Sequence, residues 1–165
     1  GQGVSGPHAV LAPFTTRPQK HWFDDRWAAL AQRLGSRFTP VLLGGPGDQR
    51  QAAELQALAS GALVNLTGQT SLSESAAVID SAGLLIGVDT GLTHLGSALH
   101  TPTVALFGST MPYLDTTRKN GIVLYEPRTC SPCHRRPSCG GQFDCMRAHT
   151  VDSVLEGVAR VLQAT

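Results

Sequence analysis

Apolar runs and amphipathic segments alternate along this chain, and their periods predict strands and helices in turn. Continuous apolar runs predict strands at 8–14, 40–45, 62–66, 84–88, 103–107 and 121–126. Apolar residues at helical spacing predict helices at 24–34, 48–60, 71–82 and 151–164, and a short helix follows residue 90. Such alternation is typical of a mainly parallel α/β sheet with three layers.

Residues that begin and end helices support these boundaries. Asp24 and Asp25 are expected to cap the helix at 24–34, and Gly35 is expected to end it. Ser71 and Glu74 have the spacing of a capping box, in which each side chain accepts the backbone N–H of the other residue. The helix at 71–82 is therefore predicted to begin just after Ser71.

Length and composition describe one globular domain at 8–165. The chain has 165 residues, of which 41% are hydrophobic and 15% are charged, and its formal net charge is +1. This charge gives no electrostatic case for nucleic acid as a partner, and no apolar run reaches the roughly 18 residues of a transmembrane segment. Residues 1–7, GQGVSGP, predict a flexible lead-in or the remnant of an inter-domain linker, so an upstream domain is expected.

The turn after the strand at 84–88 has the sequence VDTGLTH and carries candidate chemistry. Parallel strands joined by a helix share a carboxyl edge, where such folds bind ligands. Small residues at a helix start leave first-turn amides able to face an anion, and these belong to Thr90, Gly91, Leu92 and Thr93. The pattern indicates a phosphate site; the alternative is a plain turn in which Asp89 caps the helix and His94 is satisfied within the fold.

Two further loops leave predicted strands at the same edge. The loop after the first strand carries hydroxyls and cations that suit phosphate oxygens, namely Thr15, Thr16, Arg17 and Lys20. The loop GGPGDQ contains Asp48, which either accepts a hydrogen bond from a ribose hydroxyl or, the favoured interpretation, caps the following helix. Each loop alone is more typical of a solvated turn. Their coincidence at one edge indicates a nucleotide diphosphate as ligand.

Other nucleotide and hydrolase classes lack their signatures here. No G-x-G-x-x-G follows the first strand, so a dinucleotide-dependent dehydrogenase is not supported, and no P-loop motif is present. Asp89 and His94 have no serine on a nucleophile elbow to complete a hydrolytic triad.

Four stretches together resemble glycosyltransferase family 9, the bacterial ADP-heptose:lipopolysaccharide heptosyltransferases. They are FTTRPQKHW, VLLGGPGD, LTGQTSLSESAAVIDSAGLLIGVDTGLTHLGSALHTPTVALFGST and CSPCHRRPSCGGQFDCM. The resemblance covers nearly the whole chain and is to the carboxyl-terminal half of the family. It implies a GT-B architecture, in which two Rossmann-like domains with parallel sheets face a cleft and the second binds the sugar nucleotide.

The resemblance also implies roles for single residues. In the family, the lysine of the first loop and the Asp-Thr/Ser-Gly motif with its histidine contact the donor diphosphate and sugar. The matching donor-binding residues, with their supporting neighbours, are Thr15, Thr16, Lys20, Asp89, Thr90, Gly91, Thr93 and His94. The family's general base is an aspartate of the amino-terminal domain, so no catalytic base is expected in this chain and no cofactor is required. Some relatives hold the ribose with a glutamate where this chain has Asp48, which leaves that contact open.

Four cysteines lie close together near the carboxyl terminus, at Cys130, Cys133, Cys139 and Cys145. Their C-x2-C-x5-C-x5-C spacing allows a structural zinc site but is looser than a zinc ribbon or finger. Free or incidentally oxidised thiols are the favoured interpretation, with zinc or a cluster second and a redox role last. The segment resembles one found in the heptosyltransferase II branch of the family.

The sequence therefore predicts the ADP-heptose-binding domain of an inverting glycosyltransferase that transfers heptose to the lipopolysaccharide inner core. The isolated domain is expected to be inactive without its amino-terminal acceptor domain. The resemblance implies a cytoplasmic protein that, at full length, is peripheral at the inner face of the inner membrane. The alternative is a stand-alone nucleotide-binding or interaction module; a second α/β pattern of about 150–200 residues upstream in the parent reading frame would distinguish the two.

Overall fold

The computed structural model describes residues 6–112 and 120–164, and its strands form one parallel sheet. The strands are β1 (His8–Ala12), β2 (Thr39–Leu42), β3 (Val64–Asn65), β4 (Leu84–Val88), β5 (Thr103–Phe107) and β6 (Gly121–Tyr125). The helices are α1 (Asp24–Leu34), α2 (Gln49–Leu58), α3 (Leu72–Asp80), α4 (Gly91–Ala98), α5 (Asp144–Arg147) and α6 (Val151–Gln163). Short 3₁₀ turns at Pro18–Lys20 and Pro46–Asp48 follow β1 and β2.

Two apolar clusters cover the two faces of the sheet, which confirms the three-layer α/β architecture. Alternate residues of a strand point to opposite faces, so Ala9 and Leu11 of β1 pack with α1, α2 and α6, whereas Val10 packs with α3 and α4. The central strands β1, β4 and β5 are buried along their whole length. Burial on both faces explains why these strands appear in the sequence as continuous apolar runs rather than as alternating ones.

The strand order in the sheet is β3-β2-β1-β4-β5-β6. From β1 the chain adds strands towards one edge of the sheet, and from β4 it adds them towards the other edge. Leu11 of β1 lies beside Leu42 of β2 on one side and beside Ile86 of β4 on the other. Loops that leave the carboxyl ends of β1 and β4 therefore diverge to opposite faces and open a crevice between them. Ligands of open parallel sheets bind at such a switch point.

Most predicted boundaries agree with the structure, and the differences have local causes. The predictions for α1, β4 and β5 are confirmed to the residue. The capping box at Ser71 is confirmed: its amide donates to Glu74 at 2.7 Å, and the amide of Glu74 donates to Ser71 Oγ at 3.3 Å. The prediction that Asp24 and Asp25 cap α1 is wrong, because Phe23 is the N-cap and the two aspartates lie in the first helical turn. There they still face the positive end of the helix dipole.

The carboxyl-terminal part of the chain is fastened to the sheet through His149. Its ring Nε2 donates to the carbonyl of Phe107 at 2.8 Å, and its own carbonyl accepts the indole N–H of Trp22 at 2.8 Å. Burial lowers the pKa of His149, so the ring is held in its neutral form. These contacts pack the end of β5 against the segment that follows the first 3₁₀ turn.

Parts of two predicted segments lie outside the described residues, namely 1–5 of the lead-in and 113–119 of the loop before β6. Among the helices described here, none combines the length and apolar character that a bilayer crossing requires.

Candidate functional site

Asp89, at the end of β4, is the centre of a charged cluster in the crevice. Its side chain is 4% exposed, and Lys20 Nζ donates to Oδ2 over 2.5 Å. The hydroxyl of Thr110, from the loop after β5, donates to the same oxygen at 2.8 Å, and His94 Nε2 donates to Oδ1 at 3.0 Å. The structure therefore joins the three loops that leave β1, β4 and β5 on one buried carboxylate.

The start of α4 answers the question that the sequence left open for Asp89. Thr90 is the N-cap residue, and its hydroxyl accepts the amide of Leu92 at 3.2 Å. The capping role of Asp89 in the plain-turn alternative is therefore wrong, whereas its second part agrees with the structure, because His94 is satisfied within the fold by Asp89. Because its carboxylate faces Lys20 and His94 instead, Asp89 holds a cation at the point where the helix dipole is positive.

An apolar cavity of about 320 Å³ adjoins this cluster on the side of β2. Gly91, at the helix start, forms part of its wall, and no heavy atom of residues 6–112 or 120–164 lies within 4 Å of the position that a Cβ on Gly91 would occupy. A ligand can therefore approach the first-turn backbone of α4 closely. The other lining residues are Ala12, Phe14, Leu43, Gly44, Gly45, Asp48, Leu72, Thr90 and Leu92. The volume is that of a small-molecule pocket.

The cavity and the charged cluster divide the crevice into an apolar part and a polar part. The cavity spans the ends of β2, β1 and β4, whereas the cluster lies at the ends of β4 and β5 with Lys20 reaching over from the β1 loop. Gly91 and Thr90 stand between the two parts. An apolar ring on one side, phosphates at the helix start and a polar group beyond would fit this order.

Two of the predicted donor-binding residues, Thr15 and Thr93, have other contacts in the structure, and a third, Thr16, is exposed. Thr15 Oγ1 accepts the amide of Arg17 at 3.3 Å, which closes a local turn, and Thr16 is exposed in the same loop. Thr93 is fully buried, and its hydroxyl donates to the carbonyl of Val88 at 2.7 Å. That hydroxyl fastens α4 to the end of β4, so a contact between the Thr93 side chain and a donor stays a prediction that this geometry does not support.

Asp48 lies at the edge of the cavity and has a partner within its own turn. Its Oδ2 accepts the amide of Gly45 at 2.9 Å, so the carboxylate closes the 3₁₀ turn before α2. Asp48 occupies the N-cap position of α2, as the capping alternative expects, but its side chain accepts no amide of that helix. A bound ribose would have to share the carboxylate with Gly45.

Sequence reasoning missed Thr110 and the apolar walls of the cavity. Thr110 lies in the hydroxyl-rich end of the FGST stretch, directly after β5, and position at the carboxyl edge was the signal that could have found it. The walls formed by Phe14 and Leu72 had no comparable signal. Leu72 is 74% exposed and opens α3, where an apolar residue has no capping role.

The four cysteines are free thiols, three of them half-buried and Cys145 buried. Within residues 6–112 and 120–164, no three His, Cys, Asp or Glu side chains are arranged to hold a metal ion. The possible zinc site at Cys130, Cys133, Cys139 and Cys145 thus stays a prediction without geometric support.

We expect the thiols to react with a disulfide reagent at different rates. Backbone N–H groups, first of all that of Phe143, lower the pKa of Cys139, so its thiolate should react first near neutral pH. Burial raises the pKa of Cys145, which should react last. Thiol titration of the native chain measures the phases, and Cys139→Ser should remove the fastest one. Fewer than four reactive thiols after unfolding without reductant would contradict the free state of the cysteines.

The chain is similar to known proteins over most of its length. A family model described as glycosyltransferase family 9 (heptosyltransferase) matches residues 1–142. Lipopolysaccharide heptosyltransferase 1 of Salmonella typhimurium is 38% identical over 116 residues, which make up 68% of this chain and 36% of that protein. The protein of the same name from Pseudomonas aeruginosa is 34% identical over 133 residues, or 79% of this chain and 37% of that protein.

Solved structures agree over almost the whole chain. The E. coli ADP-heptose lps heptosyltransferase II superposes with a TM-score of 0.79 at 24% identity, covering 95% of this chain and 46% of that one. The E. coli heptosyltransferase WaaC with ADP-2-deoxy-2-fluoro heptose gives a TM-score of 0.71 at 29% identity, with 93% and 43% covered. This chain therefore spans less than half the length of these structures and little more than a third of the curated relatives.

Proposed function

Because the chain belongs to glycosyltransferase family 9, we propose that it is the donor-binding domain of a heptosyltransferase, which takes ADP-heptose and transfers heptose to the lipopolysaccharide inner core. The observation that carries this proposal is the position of the Lys20–Asp89 pair. It lies at the start of α4, in the crevice between β1 and β4, and an apolar cavity adjoins it. A nucleoside diphosphate likewise carries a flat aromatic base at one end and an anion at the other.

The apolar cavity is the proposed place for the adenine base. Its walls are formed largely by apolar side chains, among them Phe14 and Leu92, and its volume of about 320 Å³ is at the lower end of ligand pockets. Burial of a flat aromatic base against such walls is favourable because it removes apolar surface from water.

The diphosphate would then lie over the first turn of α4 and within reach of Lys20. A lysine ammonium has three donors, so Lys20 can keep its contact with Asp89 and still donate to a phosphate oxygen. Backbone amides at the helix start add partial positive charge at the same place. His94 and Thr110, on the far side of Asp89, face the position that the sugar would take.

In the proposed reaction an acceptor hydroxyl attacks the anomeric carbon of heptose while the bond from that carbon to the ADP oxygen breaks. Attack from the face opposite to ADP inverts the configuration. Negative charge develops on the departing diphosphate, and Lys20 with the α4 amides stabilises it, so the scheme calls on no metal or organic cofactor. The base that takes the proton from the acceptor hydroxyl is assigned to an amino-terminal domain of the parent protein.

The names of the relatives support the identity of the sugar donor better than they support the position on the acceptor to which heptose is transferred. Curated matches include lipopolysaccharide heptosyltransferases 1, 3 and 2, at 38%, 31% and 33% identity for one example of each. One structural relative is described as containing ADP-2-deoxy-2-fluoro heptose and another as containing ADP. The proposal thus specifies heptose on ADP as donor and a lipopolysaccharide core as acceptor. Its setting is cytoplasmic, peripheral at the inner face of the membrane that carries the acceptor.

Calorimetry and a transfer assay test the proposed function together. The 165-residue chain is expected to bind ADP and ADP-heptose weakly, and adenosine more weakly still, and to transfer nothing. The parent protein is expected to release ADP from ADP-heptose only when a heptose-accepting core oligosaccharide is added. Binding of ADP without any such release by the parent protein would support the alternative, a nucleotide-binding module without transferase activity.

A further inference from the structure

The cysteine segment, residues 130–145, has no role in the function proposed above. It contacts the loop after β5, which contributes Thr110 to the donor site. Cys145 packs directly beneath the loop after β5: a Cβ placed on Gly108 would lie 2.8 Å from the Cys145 sulfur. Gly108 is followed by Ser109 and by Thr110, which binds Asp89. The segment therefore supports the loop that carries Thr110.

One residue of the segment, His134, connects two loops of the site through its backbone. Its amide donates to the carbonyl of Ser109 at 2.8 Å, in the loop after β5. Its carbonyl accepts the side-chain amide of Gln19 at 2.6 Å, in the 3₁₀ turn after β1. His134 has a φ of 51°, so its backbone is bent sharply at this point, directly after Cys133.

Gln19 is an unusual residue for a loop at a sheet edge because it is 4% exposed. A buried side-chain amide needs a partner, and the carbonyl of His134 is the one that the structure provides. Lys20 is the next residue along the chain, and Thr110 is the next residue after Ser109. Both of these neighbours donate to the same oxygen of Asp89.

We propose that Gln19 is a positioning residue of the donor site, which acts by tying the Lys20 turn to the loop after β5 through the backbone of His134. The proposal rests on the function proposed above. A lysine side chain has four rotatable bonds, and holding its Cα in place reduces the freedom lost when its ammonium meets a phosphate. The cysteine segment then serves the donor site as the rigid bridge between its two sides.

Gln19→Met tests this role, because methionine has nearly the same shape and lacks the donor. We expect the dissociation constant for ADP to rise about 3- to 10-fold, the factor that corresponds to the net free energy of one hydrogen bond. Binding of adenosine should change by less than about 2-fold, since Lys20 acts on the phosphates. Competition calorimetry with ADP and adenosine measures both values.

A second variant controls for a general loss of stability. Gln56→Met removes a side-chain amide bond of the same kind, from Gln56 to the carbonyl of Leu63 at 3.0 Å, outside the residues assigned to the donor site. It should lower the melting temperature without altering ADP affinity.

Each outcome separates the two proposals. If the unaltered chain does not bind ADP, the proposed function fails. If it binds ADP and Gln19→Met binds ADP equally well, the positioning role alone is wrong. Equal weakening of ADP and adenosine would also overturn it, because general damage to the fold would then account for the loss.

Discussion

Lys20→Ala should weaken ADP binding by about 10- to 100-fold, the largest effect that we expect from a single side chain of the site. A hydrogen bond between charged groups contributes about 1.5–3 kcal/mol, and about 1.4 kcal/mol corresponds to a factor of ten. The change has a second cost, because it leaves Asp89 at 4% exposure without its cation. The carboxylate would keep its contacts with Thr110 and His94, but its negative charge would face the incoming diphosphate without the Lys20 ammonium between them. Calorimetry with ADP measures the loss.

Charge removal elsewhere provides the control for this change. Arg33 pairs with Asp152 on the surface, with side chains 55% and 76% exposed, so Arg33→Ala should leave ADP affinity unchanged.

The double variant Lys20→Ala, Asp89→Asn should bind ADP better than Lys20→Ala alone, because the buried negative charge is gone. Unchanged affinity in Lys20→Ala would place the diphosphate away from the α4 start.

How far the sequence predicts this fold depends on how its elements are buried. Strands such as β4 and β5, buried on both faces, are continuous apolar runs, and their bounds follow from the residues alone. β3 pairs through only two half-buried residues, Val64 and Asn65, so the predicted strand at 62–66 was too long. The order of the strands has no local signal, because pairing of β1 with β4 joins residues about 75 positions apart.

The residues of the candidate site also differ in how far the sequence predicts them. Motif and edge position were sufficient to select Lys20, Asp89 and His94, and the structure brings these three into contact. They were insufficient for Thr93, since a threonine in a helix start looks the same in sequence whether its hydroxyl faces ligand or, as here, the carbonyl of Val88. Gln19 could not be found either, because its partner lies 115 residues away and is a backbone carbonyl.

Gly87→Ala should produce the largest loss of stability, because β4 has no room for a methyl group at this position. An ideal Cβ on Gly87 would lie 2.0 Å from Thr93 Oγ1 and 3.0 Å from the Cβ of Ala12 on the neighbouring strand. Overpacking of a buried site costs about 1–3 kcal/mol, which corresponds to a fall in melting temperature of roughly 3–10 °C for a chain of this size. Gly121→Ala is the matched control, since Gly121 also lies in a strand and a Cβ there meets no atom of the described part of the chain within 4 Å.

The clash also connects stability with binding, because Thr93 fastens the start of α4 to β4. If Thr93 has to turn away from Val88, the α4 start moves with it, and ADP affinity in Gly87→Ala should fall by more than the fraction of unfolded chain explains. A double-mutant cycle isolates this coupling: Thr93→Ala removes the clashing hydroxyl, so Gly87→Ala should cost less stability in the Thr93→Ala background than in the unaltered chain. Chemical denaturation measures the four free energies of unfolding. Strictly additive costs would show that the strain falls on Ala12 and β1 rather than on the helix that begins the donor site.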